Sequence, residues 1–124
     1  MTANFSLSFA ALTIDCADPA PLADFWGKAL GRPVSPGKVA GDISVDATGP
    51  ESGPRMLFHN VPEPKTVKNR LHLDLITDHY DEEIERLAGL GARPLNEIKL
   101  PAVRWTTFAD PEGNEFDLWI GQPE

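Results

Sequence analysis

The sequence predicts an α+β fold built from two tandem βαβββ modules, and three observations carry that prediction. First, the chain reads as a duplication. Asp18, Phe25 and Trp26 lead to Leu30-Gly31-Arg32-Pro33, while Asp78 and Ile84 lead to Leu90-Gly91-Ala92-Arg93-Pro94. Asp18 and Asp78, Leu30 and Leu90, and Gly31 and Gly91 share one offset of sixty residues. Second, each Asp follows a strand-like run and precedes a helix-periodic one. Third, each Leu-Gly is followed by three short extended segments. The expected boundaries are 5–61 for the first module, 62–68 for the linker and 69–121 for the second, within one domain of 1–124. Two pseudo-symmetric halves usually enclose a site between them, so the question is what such a site would hold.

The first strand is expected over 9–16, with Leu12, Ile14 and Cys16 on one face. Asp18 can cap the following helix, and Pro19 is tolerated in its first turn. Leu22, Phe25, Trp26, Ala29 and Leu30 recur at helical spacing and make one apolar face, which favours core packing for both aromatics. Gly31 is the natural stop. Extended segments follow over 34–39, 42–47 and 55–61, with a Gly/Pro-rich loop at 48–54. Pro62 and Pro64 stiffen the linker.

The second half opens with a strand over 70–76. Alternation puts His72, Asp74 and Ile76 on one face and Leu71, Leu73 and Leu75 on the other. Asp81, Glu82 and Glu83 sit in the first turn of the next helix, where negative charge suits the helix dipole. Ile84, Leu87, Ala88 and Gly91 form its packed stripe. Strands are expected over 94–98, 103–108 and 115–120, the last two joined by a turn at 109–114.

Composition narrows the function. A length of 124 residues with 41% hydrophobic content supports one core. The formal net charge is -8, which repels nucleic acid and anionic membranes. It is compatible with cationic small molecules, although many ordinary soluble proteins are as acidic. Cys16 is the single cysteine, so an intrachain disulfide and a cysteine-based zinc site are excluded, and a buried inert thiol is expected. Residues 1–4 lack the basic and apolar regions of a signal peptide, and no apolar run reaches membrane-spanning length. A cytoplasmic protein is expected.

Several motifs occur together in a set order. They are Asp18…Phe25-Trp26…Leu30-Gly31, then Asn69-Arg70-Leu71-His72-Leu73-Asp74-Leu75, then Leu90-Gly91-Ala92. The last is Phe108-Ala109-Asp110-Pro111-Glu112-Gly113-Asn114-Glu115-Phe116. With the duplicated βαβββ pattern, this set resembles the vicinal oxygen chelate superfamily of glyoxalases, bleomycin-resistance proteins and extradiol dioxygenases. Small glyoxalase-like proteins are the nearest match in kind, and the resemblance covers almost the whole chain.

The resemblance implies that each half curls its sheet into half of a cup holding one divalent metal. The ligands would come from the first and last strands of each half. A substrate with adjacent oxygens would chelate the ion in lyase, isomerase or dioxygenase chemistry. Carried over by position, the first-half opening ligand falls at Ala11, or at Leu12 by the strict offset, and neither side chain binds metal. His59 is the nearest candidate on that half's last strand. His72 and Asp117 occupy the matching positions of the second half. His59, His72 and Asp117 would form a two-histidine, one-carboxylate set suited to iron, manganese, zinc or nickel. Asp74 could orient His72 or act as a base.

Metal-free explanations stand beside these. A His72–Asp117 hydrogen bond satisfies both groups. Trp105 and Trp119 could stack a flat ligand, with core packing as the ordinary alternative. Arg70 and Lys68 could attract an anion, though such residues are more often plain surface charge. The two functional expectations are a metal-dependent enzyme with an eroded ligand set and a metal-free drug- or antibiotic-binding protein of the bleomycin-resistance type. A non-catalytic module is a third. The resemblance also implies a homodimer, with the modules paired within one chain or swapped between two.

Overall fold

Chain order is β1 (Ala11–Cys16), α1 (Pro19–Leu30), β2 (Val34–Pro36), β3 (Ile43–Val45) and β4 (Arg55–Asn60) in the first half. The second half repeats it with β5 (Asp74–Ile76), α2 (Tyr80–Leu90), β6 (Arg93–Lys99), β7 (Arg104–Ala109) and β8 (Glu115–Ile120). This computed structural model describes residues 6–121. The expected start of the first module, Phe5, lies outside them. Each half is therefore βαβββ, and the sixty-residue offset marks a true structural repeat.

The halves form two four-stranded mixed sheets, ordered β1-β4-β3-β2 and β5-β8-β7-β6. In each, the opening strand pairs in parallel with the closing one, and the other pairs are antiparallel. Several strands differ in length from expectation. β5 covers only Asp74–Ile76, although Asp117 N–H still donates to Leu73 C=O at 2.9 Å. β6 runs longer than expected, to Lys99, and carries an irregular register between Pro94 and Asn96.

Gly31 ends α1 at φ 66° and Gly91 ends α2 at φ 117°. Both angles are left-handed, which accounts for the two Leu-Gly stops. The start of α1 departs from expectation. Asp18 stands at the N-cap in extended conformation, but its side chain makes no capping bond. Instead the Glu112 carboxylate, reaching over from the β7–β8 turn, accepts Ala17 N–H and Asp18 N–H, each at 2.8 Å.

One core serves both halves. Leu22, Phe25 and Trp26 of α1 cluster with Val45, Met56 and Phe58 of the first sheet and with Phe108, Phe116 and Leu118 of the second. Trp26 meets Phe116 edge-on, with ring centres 4.8 Å apart, and Phe108 stacks on Phe116 at 5.4 Å. Arg86 of α2 donates to the carbonyls of Lys28 and Ala29 at the end of α1. It thereby satisfies acceptors that the helix leaves free. Burial, followed by nearby Glu112 and Asp15, pushes the Cys16 thiol up to about 11, so the thiol is inert near neutrality.

Candidate metal and ligand site

Alternation sends Phe116 and Leu118 of β8 into the core, so Asp117 and Trp119 face away from the helices. Strand register then sets two rows on that open face. Asp74, Asp117, Thr107 and Asn96 follow one another across β5, β8, β7 and β6. Ile76, Trp119, Trp105 and Ile98 make the next row. His72 lies two residues before Asp74, on the side that alternation predicts.

His72 Nε2 stands 3.3 Å from Asp74 Oδ1 and 3.4 Å from Asp117 Oδ2. One donor atom from each of the three residues falls within 4.8 Å of the others. Both carboxylates have further partners. Thr107 Oγ1–H donates to Asp117 Oδ1 at 2.6 Å, and Trp119 Nε1–H donates to Asp74 Oδ1 at 3.0 Å. Asp117 is nearly buried, with a side chain 13% exposed, whereas His72 remains open at 44%. A carboxylate so enclosed needs its donors. Trp105 and Trp119 stack with centres 4.2 Å apart, beside the acidic row.

His72, Asp74, Asp117 and the two tryptophans therefore gather on one face. His59 does not join them within the chain. It lies on β4 of the other sheet, and its Nδ1 is 2.7 Å from Asp42 Oδ1. The hydrogen bond and the charge of Asp42 hold His59 above its ordinary value of 6.5, with Asp15 adding a weaker pull. Ala11 and Leu12 lie on β1 and have no donor to offer.

Sequence reading did not find Thr107, because a threonine in a strand is ordinary. Only the register shows that it faces Asp117. The 69–75 motif has a second role that was also missed. Asn69 Oδ1 accepts Glu115 N–H at 2.8 Å, and Lys65 pairs with Glu115 at 3.1 Å. Burial raises the Glu115 carboxyl, but the bonds from Asn69 and Lys65 outweigh it and leave the group below its usual range. This clamp holds the entry to β5 beside β8, where His72 must stand.

The family profile described as glyoxalase-like domain matches residues 11–119. The chain belongs to the glyoxalase-like domain family. It falls, as the motifs imply, within the vicinal oxygen chelate superfamily. Solved structures share its fold at low identity. The hypothetical protein SA1046 from S. aureus is 13% identical, with 94% of this chain and 95% of that one covered and a TM-score of 0.73. A glyoxalase/bleomycin resistance protein/dioxygenase family enzyme from Burkholderia phytofirmans PsJN is 14% identical, covers 91% and 98%, and has a TM-score of 0.72. TnmS3, an antibiotic binding protein from Streptomyces sp. CB03234, is 21% identical, covers 96% and 100%, and has a TM-score of 0.69. No curated protein matches the chain. Among the described residues, no helix of this glyoxalase-like chain is long and apolar enough to cross a membrane.

Proposed function

We propose that the open face of the second sheet binds a small oxygenated molecule through a divalent metal held by His72, Asp74 and Asp117. The supporting observation is the spacing of the three donors. Ligand atoms about 2.1 Å from one ion lie roughly 3.0 to 3.4 Å apart, and the His72–Asp74 and His72–Asp117 distances are 3.3 and 3.4 Å. Two carboxylates and an imidazole suit iron(II), manganese, zinc or nickel. Such an ion, when bound, supplies Lewis acidity toward a ligand with adjacent oxygens, the basis of lyase, isomerase or dioxygenase chemistry.

The chain's own groups do the positioning. Thr107 and Trp119 each occupy a lone pair of one carboxylate and so fix its orientation. Trp105 and Trp119 offer an aromatic wall beside the donors. His59 enters this reading only through a second copy, since its own chain places it on the other sheet. The same proposal includes a homodimer in the cytoplasm. Ile76 and Ile98 are 56% and 37% exposed beside the site, and a second copy would cover them.

One observation favours a metal-free reading. The Trp105–Trp119 stack borders two carboxylates with a single histidine among them, a setting that attracts a flat cation. The antibiotic-binding description of TnmS3 is in keeping with it.

Metal analysis of protein purified without tag or chelator separates the two. Near-stoichiometric metal, lost in both His72→Ala and Asp117→Ala, is the outcome the first reading expects. Metal-free protein with no thermal shift on adding manganese, iron(II), nickel or zinc would transfer the case to the second. Titration with cationic aromatic compounds, with Trp119→Ala as control, would then test that reading.

A further inference from the structure

A cavity of about 330 Å³ lies on the seam between the two halves, apart from the carboxylate–tryptophan rows. One wall comes from β1, including Ile14 and Asp15, and the other from the segment entering β5, including Arg70 and Leu73. Trp26 and Phe116 line it from the core. They are only 2% and 1% exposed and close it from behind, while half-buried Leu12, Ile14 and Leu73 supply its accessible apolar surface.

Five charged or titratable groups line this cavity, and three of them are already engaged. Asp110 accepts Trp26 Nε1–H, Glu112 N–H and Asn114 N–H. Glu115 is held by Lys65 and Asn69, and His72 stands against Asp74 and Asp117. Asp15 and Arg70 differ. Both are exposed, and neither makes an ion pair or a side-chain hydrogen bond with any described residue. Asp15 acts on His59 through space only. One of the two comes from each half, and they do not pair with each other.

A lone anion drawn to Arg70 would also meet Asp15 and the field of a chain with net charge -8. A lone cation drawn to Asp15 would meet Arg70. A neutral apolar molecule would leave both charges without partners. A molecule carrying both charges and an apolar body satisfies the whole lining. The volume sits at the lower end of the range for small-molecule pockets, which suits a small ligand. We propose that the seam cavity binds a small zwitterion with the size and charge layout of a hydrophobic α-amino acid. Its carboxylate sits on Arg70, its ammonium on Asp15, and its side chain against Leu12, Ile14 and Leu73, over the indole of Trp26.

The proposal uses no metal, although His72 borders both sites, so it is tested with EDTA present. Isotope-labelled protein is titrated with L-phenylalanine, and with 3-phenylpropionate and 2-phenylethylamine as single-charge controls. L-Phenylalanine is expected to move the Trp26 indole N–H resonance and to leave those of Trp105 and Trp119 in place. Each control should bind about tenfold more weakly or worse, as should L-phenylalanine to Arg70→Gln and to Asp15→Asn. Both substitutions are at exposed positions, and parent-like spectra would verify their folds. No shift up to the solubility of L-phenylalanine would overturn the proposal. So would binding that survives both substitutions, controls that bind as tightly, or shifts confined to Trp105 and Trp119.

Discussion

Thr107 governs how firmly Asp117 is held. Its hydroxyl donates to a carboxylate that the sheet nearly encloses. Thr107→Val keeps the shape and removes the donor, which should cost about 1 kcal/mol of stability. If the site holds metal, affinity should also fall roughly 10- to 100-fold, as for other groups that orient a ligand. Chemical denaturation and metal titration read the two effects separately, and unchanged affinity would deny Thr107 any part in orienting Asp117. His59 provides a pH test on the opposite sheet. Asp42 holds its folded-state pKa above 6.5, so the protonated form is favoured in the folded chain. That contribution is fully present below the unfolded pKa and is lost as pH rises through the higher folded value. The stability difference between the parent and His59→Gln should therefore be largest at mildly acidic pH and shrink as the solution becomes alkaline. A difference that grows with pH would contradict the Asp42 pairing.

At the level of elements, α1 begins with help from the other half of the chain. Glu112 accepts two backbone N–H groups ahead of the helix, and its negative charge also suits the helix dipole. Glu112→Ala should lower stability by about 1 kcal/mol and the melting temperature by about 4 °C. Glu112→Gln, which keeps one acceptor oxygen, should fall between the two. If Glu112→Ala melts with the parent, the two bonds contribute nothing net. This contact also shows which parts of the fold were legible in the sequence. The order of elements was, because apolar periodicity and the two Leu-Gly stops are local signals. His72 and Asp117 were singled out by their match to the family pattern, and alternation added only the face on which each lies. Thr107, Glu112 and the Asn69–Glu115 clamp were not, because each acts on a partner distant in sequence, through register or turn geometry. The side chain of Asp18 was expected to anchor the start of α1; Glu112 anchors it instead, by the N–H groups just ahead of the helix, and local propensity cannot see a partner 94 residues away. His59 illustrates the opposite limit. A ligand-type residue on the expected strand says nothing of what its side chain meets, and here it meets Asp42.

At the scale of the whole molecule, the repeat is a symmetry of topology, and the halves do not have separate cores. Phe25 and Trp26 from the first half pack on Phe116 from the second. Trp26 Nε1–H also donates to buried Asp110 in the β7–β8 turn, at 3.1 Å. Glu112 and Arg86 add cross-half bonds at the two ends of α1. A half freed from the other would expose Phe116 and leave Asp110 without Trp26. Losing the packing around one large core aromatic alone costs about 3 to 5 kcal/mol, a sizeable share of the stability expected for a domain of this size. The chain should therefore unfold in one cooperative step, with near- and far-ultraviolet circular dichroism giving coincident transitions. Residues 62–121 expressed alone should show collapsed amide dispersion, and adding residues 6–61 in trans should restore some of it. Two resolved transitions in the intact chain, or a well-dispersed spectrum from residues 62–121 alone, would show that the second sheet carries its site independently. The open face bearing His72, Asp74 and Asp117 would then owe nothing to α1. A single transition would mean that the open face bearing His72, Asp74 and Asp117 and the seam cavity stand or fall together, because Phe116, whose ring lines that cavity, is the strand neighbour of Asp117.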